Sequence, residues 1–313
     1  MGALTLFVTG SGSYVGRAAA DFARRKGRKV VLHSRHGHRG GAPDAPGVSR
    51  IEGALDAPDL VEQMRGCDAV IHVAGRMQGT DAAFDKDVVA DSRAVMRAAA
   101  AAGVARVVLA GSVSVYGAGQ PGATITEDSP QEPRPDLRDG YTRAKLAQEA
   151  AMLDEAGDVS LSVLRLGAIW GPGRLWNAHI GVAKGPVLIR IGGAGQIPLC
   201  HVDRAAAALV KAVEAAPCTV NVLDDDLPDR VRYVKALAAS GWPKLVVPLP
   251  WQLLDLVARQ RAAGPGLLRR AVLRARMMPM GWHGARGRAA LRLPPQDAFE
   301  ALMARALTEG GRP

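Results

Sequence analysis

Apolar residues in this chain fall in short, nearly unbroken runs that alternate with stretches of helical periodicity. The first run, 3–9 (ALTLFVT), passes through glycines into the helical stretch 14–25. Further strand-like runs follow at 29–33 (KVVLH), 69–73 (AVIHV), 106–110 (RVVLA) and 161–166 (LSVLRL). Helices are expected at 84–102, which is alanine-rich, and at 140–156. Strands that are apolar on both faces and alternate with helices predict parallel strands covered on each side. The expected fold class is therefore α/β, with a doubly wound parallel sheet.

After Gly171 the pattern loosens, with Gly/Pro punctuation at 171–173, 185–186 and 192–195. A helix at 202–215, a strand at 219–223 and a helix at 229–239 can still be traced, and they predict a smaller lobe over the carboxyl edge of the sheet. Residues 240–313 are helical in composition and rich in arginine, broken by Pro243, Pro248, Pro250, Pro265, Pro279 and Pro294. The expected division is a nucleotide-binding domain over 1–170, then a substrate lobe and basic helical tail over 171–313. No internal repeat is visible.

Composition narrows the class. Of 313 residues, 48% are hydrophobic and 22% charged, an ordinary globular balance that excludes a disordered or fibrous chain. No segment reaches the ~18 uninterrupted apolar residues of a membrane span. The N-terminus carries no basic leader region. Cys67, Cys200 and Cys218 are odd in number and far apart, so neither a disulfide framework nor a metal site is expected. These features favour a cytoplasmic protein.

The formal charge of +10 is concentrated near the C-terminus. No acid stands between Asp255 and Asp297, an interval that holds Arg259, Arg261, Arg269, Arg270, Arg274, Arg276, Arg286, Arg288 and Arg292. Within it, 267–278 (LLRRAVLRARMM) alternates apolar and basic residues. Three roles fit that pattern: packing as an ordinary surface helix, peripheral contact with an anionic membrane or a partner, or contact with a substrate diphosphate. Ordinary packing is the expectation. No nucleic-acid-binding motif accompanies the charge, so nucleic acid is not an expected partner.

The chemistry begins at Thr9-Gly10-Ser11-Gly12-Ser13-Tyr14-Val15-Gly16. A pyrophosphate needs unobstructed backbone N–H groups and the positive end of a helix, which glycines at 10, 12 and 16 between a strand and a helix supply. At the end of the second strand, an acid would accept hydrogen bonds from the adenosine ribose and an arginine would pair with a 2′-phosphate. Here Ser34 and Arg35 stand there, so NADP is the expected cofactor, with NAD left open. Tyr141 and Lys145 are four residues apart on one helical face. A phenol with an unperturbed pKa of ~10 needs a neighbouring ammonium to exchange protons near pH 7. The hydroxyl that completes such a set belongs at a strand's carboxyl end, where Ser112 stands, with Ser114 a second candidate facing the other way.

In these segments the chain resembles the extended short-chain dehydrogenase/reductases of the NAD-dependent epimerase/dehydratase family, over about residues 3–225. The likeness rests on VTGSGSYVG (8–16), GCDAVIHVAG (66–75), GVARVVLAGSVSVYG (103–117), YTRAKLAQE (141–149), LRLGAIWGPG (164–173) and HVD (201–203). It implies a Rossmann domain and a catalytic set of Ser112, Tyr141 and Lys145, the latter two also meeting the cofactor. The cofactor would lie along the loop formed by Gly10, Ser11, Gly12, Ser13, Tyr14, Val15 and Gly16. Ala74 and Gly75 would lie beneath the nicotinamide ribose, with Leu166, Gly167 and Ile169 beside the nicotinamide.

The chain departs from the family pattern at Ser13, where a glycine is usual, and at Ala54, which replaces an aspartate after the third strand. It also departs at 88–94, which lacks both asparagines, and at Arg204, which replaces a second aspartate after HVD. A dehydratase of the family would carry an Asp-Glu pair where Val113 and Ser114 stand, so reduction or epimerisation of a nucleotide-sugar, or of a similar alcohol or carbonyl substrate, is expected. Trp170, Arg174, Trp176, Asn177, His179 and His201 are candidates for the substrate pocket. Relatives often pair through the helices at 84–102 and 140–156, which implies a homodimer. The competing reading, a non-catalytic NADP-binding sensor or scaffold, would not require the intact Ser112, Tyr141 and Lys145.

Overall fold

The computed structural model describes residues 3–37, 46–260 and 266–310; Arg39, Asp44, Arg261 and Pro265 lie outside the described residues. In chain order the first half contains β1 (Thr5–Thr9), α1 (Tyr14–Arg25), β2 (Lys29–Ser34), β3 (Val48–Glu52), α2 (Leu60–Met64), β4 (Ala69–His72), α3 (Asp81–Phe84), α4 (Asp91–Ala101), β5 (Arg106–Ser112), β6 (Thr124–Ile125) and α5 (Gly140–Asp154). There follow β7 (Ser160–Leu166), β8 (Ala168–Trp170), β9 (Gly181–Lys184), β10 (Val187–Ile191), β11 (Leu199–His201), α6 (Val202–Ala212), β12 (Thr219–Val222) and α7 (Arg230–Leu237). The chain ends through β13 (Leu245–Leu249), α8 (Trp251–Arg259), α9 (Arg270–Met277), β14 (Gly281–Trp282), α10 (Ala285–Ala290) and α11 (Phe299–Gly310). No helix among the described residues is long and apolar enough to cross a membrane.

The central sheet has the order β3-β2-β1-β4-β5-β7-β12, and every pairing in it is parallel. Alternate strand residues feed two separate cores. Leu6 and Val8 of β1 pack with Ala19, Ala20 and Ala23 of α1 and with Ala205, Ala208 and Leu209 of α6. Phe7, between them in sequence, points to the opposite core with Val95, Met96 and Ala99 of α4 and Met152 of α5. This two-sided burial, worth about 1.5–3 kcal/mol for each large side chain, is why the strands read as continuous apolar runs.

The hydrophobic pattern missed one element, and two expectations are corrected. First, β3 has no apolar run to announce it, because an edge strand with the pattern VSRIE is only partly covered. Second, the helix expected at 84–102 is broken into α3, a π-helical turn at Asp85–Ala90, and α4. Third, a domain division at 170 does not follow the packing. Beyond it, β12 pairs with β7 in the central sheet and α6 packs on α1, so 202–222 belong with the sheet rather than with the lobe. The lobe proper holds the three-stranded sheet β13-β10-β9 and an aromatic core of Trp170, Tyr233 and Phe299.

The basic tail folds back on the body. Val272, Leu273 and Met277 of α9 are buried, while Arg270 and Arg274 meet the buried Asp255 of α8 at 2.9 and 3.8 Å. Arg276 pairs with Asp139 at 2.7 Å, and Arg269 donates to the carbonyl of Arg138. Arg288 pairs with Asp225, and Arg286 with Asp128.

A buried ion pair fixes α5 on the sheet. Arg165 of β7 meets Glu149 at 2.8 Å and donates to the Tyr116 hydroxyl at 3.0 Å, which in turn donates to Asn221 Oδ1 at 2.7 Å. Both ionic side chains are enclosed, so truncating one strands the other charge away from water. Glu149→Ala is expected to lose about 3–5 kcal/mol, seen as a lower urea midpoint at an unchanged m-value.

Candidate functional site

The glycine loop forms because side chains cannot fit there. Gly10 has φ +62°, and a Cβ on it would lie 2.7 Å from the Ala74 backbone. A Cβ on Gly16 would overlap the carbonyl oxygen of Gly10, so α1 can start this close to β1 only with glycine at 16. Ser13 caps α1 by accepting a hydrogen bond from the Gly16 N–H at 3.0 Å. Ser11 turns its hydroxyl to the carbonyl of His33, and the Tyr14 hydroxyl donates to the carbonyl of Pro172. Val15 packs against the core. Ser11, Tyr14 and Val15 thus face the protein with their side chains, while the first-turn N–H groups of Tyr14 and Val15 have no intrahelical acceptor.

Beyond the loop lies a cleft of about 670 Å³ lined by Gly10, Gly12, Ser13, Ala74 and Gly75, together with Arg17, Ser34, Arg35, Arg76 and Asp87. It sits above β1, β2 and β4, where the strand order turns and ligands of such sheets bind. Arg35 is on its wall and already paired: Nη1 meets Asp87 at 2.9 Å and Nη2 meets Asp91 at 2.6 Å. Arg76 grips the other oxygen of Asp87. Burial alone would lift the Asp87 carboxyl, but the two guanidinium groups hold it below the usual range. Asp91 goes the other way, raised by burial and by Asp87 and Asp56 against the pull of Arg35. The sequence singles out Arg35 but not these acids, whose only signal is a pair four residues apart in an alanine-rich helix.

The second cluster stands at the carboxyl ends of β5 and β7. Ser112 ends β5 in register with Leu166, and its Oγ accepts from the Ser114 N–H at 3.2 Å. Gly167 packs on the Pro198 carbonyl, and Ile169 continues into β8 beside the core. Asp139 caps α5, which brings Tyr141 and Lys145 over the end of β5. Burial raises the Tyr141 phenol above its ordinary pKa, while its hydrogen bond with Ser112 and the charges of Arg174 and Arg276 pull it down. The net direction is opposite to the activating shift expected from a neighbouring ammonium, because burial outweighs the cations. Lys145 Nζ donates to the Ala110 carbonyl at 3.0 Å and to Gln148 Oε1 at 2.8 Å; burial lowers it to about 8 against the pull of Glu149.

Ser112, Tyr141 and Lys145 are therefore brought together. Ser114 lies beside them, and its Oγ is buried with no protein partner. The pocket residues expected farther on fare differently. Trp170 is completely buried, donating to Asp224 Oδ2 at 2.7 Å and packed on Phe299, so its substrate role is corrected to a core one. His201 caps α6 by accepting from the Asp203 N–H. Asn177 is buried and accepts from the His179 N–H. The sequence reading missed Arg17 and Arg76 on the cleft wall and Gln148 on Lys145.

Comparisons with known proteins bear on the family and the fold. A family model described as NAD dependent epimerase/dehydratase family matches residues 6–222. A dTDP-6-deoxy-L-talose 4-dehydrogenase (NAD(P)(+)) of Kitasatospora kifunensis is 28% identical over 293 residues, covering 82% of this chain and 89% of that protein. A 4-hydroxy-2-methyl-3-oxo-4-farnesyl-3,4-dihydroquinoline-1-oxide ketoreductase of Stigmatella aurantiaca is 31% identical over 169 residues, 53% of this chain and 50% of that protein. Among solved structures, MoeE5 in complex with UDP-glucose and NAD superposes with a TM-score of 0.72 at 21% identity, covering 97% of each chain. A UDP-glucuronic acid 4-epimerase from Bacillus cereus in complex with NAD gives 0.74 at 15% identity, again over 97% of each chain.

The depressed pKa of Lys145 has a signed consequence for stability. Between pH ~8 and ~10.5 the unfolded chain holds a proton on this lysine that the folded chain has released, so folding gains stability as pH rises through that window. Lys145→Met is expected to remove roughly 2–3 kcal/mol of that pH-dependent gain. Urea midpoints of both proteins at pH 8 and pH 10 measure it.

Proposed function

The chain belongs to the NAD-dependent epimerase/dehydratase family, and on that premise we propose that it oxidises or reduces an alcohol or carbonyl carbon of a nucleotide-sugar or chemically similar substrate. The observation that carries this reading is that Ser112 at the end of β5, and Tyr141 and Lys145 on α5, stand together at the carboxyl edge of the sheet whose neighbouring strands β1 and β4 bear the glycine-lined cleft, with Lys145 Nζ held on the Ala110 carbonyl of β5. The cleft fits a nicotinamide dinucleotide: Gly10 and Gly16 clear the backbone, and a Cβ on Gly12 would press on Ser34 Oγ at 3.3 Å. When bound, the nicotinamide supplies or accepts the hydride.

The chain's own groups handle the proton. Tyr141 Oη gives it to the substrate oxygen in reduction and takes it in oxidation, and Ser112 Oγ polarises that oxygen. Lys145 spends two N–H groups on Ala110 and Gln148 and has a third for the cofactor ribose. The unfilled Ser114 hydroxyl and Arg174 meet the substrate. Simple reduction or epimerisation fits better than dehydration, because Val113 and Ser114 offer no acid pair to eliminate water.

We assign NADP as the preferred cofactor, Arg35 exchanging one carboxylate for a 2′-phosphate. Arg35 stands on the cleft wall between Asp87 and Asp91, so a 2′-phosphate would replace one of these two contacts. We propose a homodimer paired through the segments 84–102 and 140–156, as the family resemblance implies.

Two expected outcomes test the reading. Tyr141→Phe should reduce turnover by ~10²–10⁴-fold across a panel of nucleotide-sugars and carbonyl compounds, with cofactor affinity by fluorescence quenching retained. Arg35→Ala should weaken NADPH by about 1–3 kcal/mol more than NADH. Equal losses for the two cofactors would leave Arg35 as the structural partner of Asp87 and Asp91 alone.

A further inference from the structure

Lys145 is the end of a buried hydrogen-bonded chain that runs back to the glycine-loop strand. Gln148 Nε2 donates to Ser92 Oγ at 2.8 Å, His72 Nε2 lies 2.9 Å from the same oxygen, and His72 Nδ1 lies 2.7 Å from Thr9 Oγ1. Thr9, His72, Ser92 and Gln148 are each at most 1% exposed. Counting hydrogens fixes every direction in this chain. Thr9 Oγ1 accepts from the N–H groups of Val73 and Ala74, at 3.1 and 3.2 Å, which uses both its lone pairs. Its own hydrogen must therefore go to His72 Nδ1, so His72 is neutral and carries its proton on Nε2. This agrees with a pKa lowered to about 3, mainly by burial.

Ser92 Oγ then accepts from His72 and from Gln148, and donates to the Val88 carbonyl at 2.5 Å. With its NH₂ committed to Ser92, the Gln148 carboxamide can turn only its oxygen to Lys145. An ammonium has no acceptor, so the match is unambiguous.

From this we propose that Gln148 is the positioning residue of the lysine, a neutral acceptor that fixes Nζ against the end of β5 and ties it to the cleft floor at Ala74. The inference rests on the proposed role of Lys145 but concerns a residue outside the Ser112, Tyr141 and Lys145 set. It also explains a local choice of chemistry. Glu149, the next residue, is the acid of this helix turn, and it faces Arg165 rather than the lysine. The lysine is thus anchored by dipoles, not by an ion pair. The charged or titratable groups around it are Glu149 on its own helix, Arg165 on β7, His72 on β4 and Tyr141 on the preceding turn.

Two near-isosteric variants separate positioning from mere packing. Gln148→Glu places a carboxylate on Nζ, and Gln148→Met removes the acceptor. Titration of the Lys145 ¹³Cε resonance, identified by its loss in Lys145→Met, reads the lysine directly and needs no substrate. From a wild-type midpoint near 8, the midpoint should rise by about one pH unit or more in Gln148→Glu and fall in Gln148→Met. In the same variants, kcat should drop about tenfold or more while substrate KM changes little. Midpoints that stay at the wild-type value in folded variants, or that move in the same direction in both, would overturn the proposal. The opposite-signed shifts would establish the positioning role even if Tyr141→Phe retained full turnover, an outcome that would sink only the proposed chemistry.

Discussion

The functional geometry depends on how closely the chain can pack where β1 and β4 part at the carboxyl edge of the sheet. Gly10 lies against Ala74, and Gly16 lies against Gly10, so loop, floor and helix N-terminus meet with no Cβ between them. Thr9, the last residue of β1, holds the amides of Val73 and Ala74 through one oxygen. The cleft is the space left above that contact. A side chain at either glycine would move the helix away from the floor and dissolve the site, whatever the rest of the sheet did.

Charge is distributed by a second constraint, that a buried ion needs a partner. Arg165 with Glu149 and Arg138 with Glu132 are enclosed pairs that hold α5 and the segment before it in place. The arginine-rich tail obeys the same rule at lower burial. Arg270 and Arg274 converge on Asp255, and Arg276 reaches Asp139 at the cap of α5, so the tail closes over the end of the helix that carries Tyr141. The surplus of +10 therefore overstates how much of the tail's charge is free, because its carboxylate partners lie elsewhere in the chain. In the cleft, Arg35 and Arg76 are paired with Asp87 and Asp91, so a ligand phosphate competes with carboxylates for these two arginines, while Arg17 on the same wall donates to the Gly12 carbonyl.

Lys145 shows how the two constraints join. It is buried like a core residue, yet it is held by a carbonyl and a carboxamide rather than by a carboxylate. Its ammonium is therefore costly to keep charged, the condition under which a lysine responds to what binds beside it. The neighbouring acid that would have pinned it is spent on Arg165.

The strands of the central sheet, the glycine loop and the Tyr141/Lys145 spacing were legible in the sequence because each is a local pattern: two-sided burial makes a run, a turn demands glycine, and i,i+4 residues share a helix face. The edge strand 48–52 was not legible, since half-covered residues leave no run. The membership of α6 and β12 in the central sheet was decided by packing against α1 and β7, partners distant in sequence. Trp170 looked like a pocket residue beside a Gly-Pro-Gly turn, and only the lobe's folding encloses it with Phe299 and Asp224. The partners of Arg35 and the anchor of Lys145 also come from elsewhere, from α4 and the turn before it and from hydrogens shared across β1, β4 and α5. The sequence alone determined which residues are chemically able and how the backbone turns near them. The tertiary structure decided which are free to act, because burial and charge compensation depend on residues far apart along the chain.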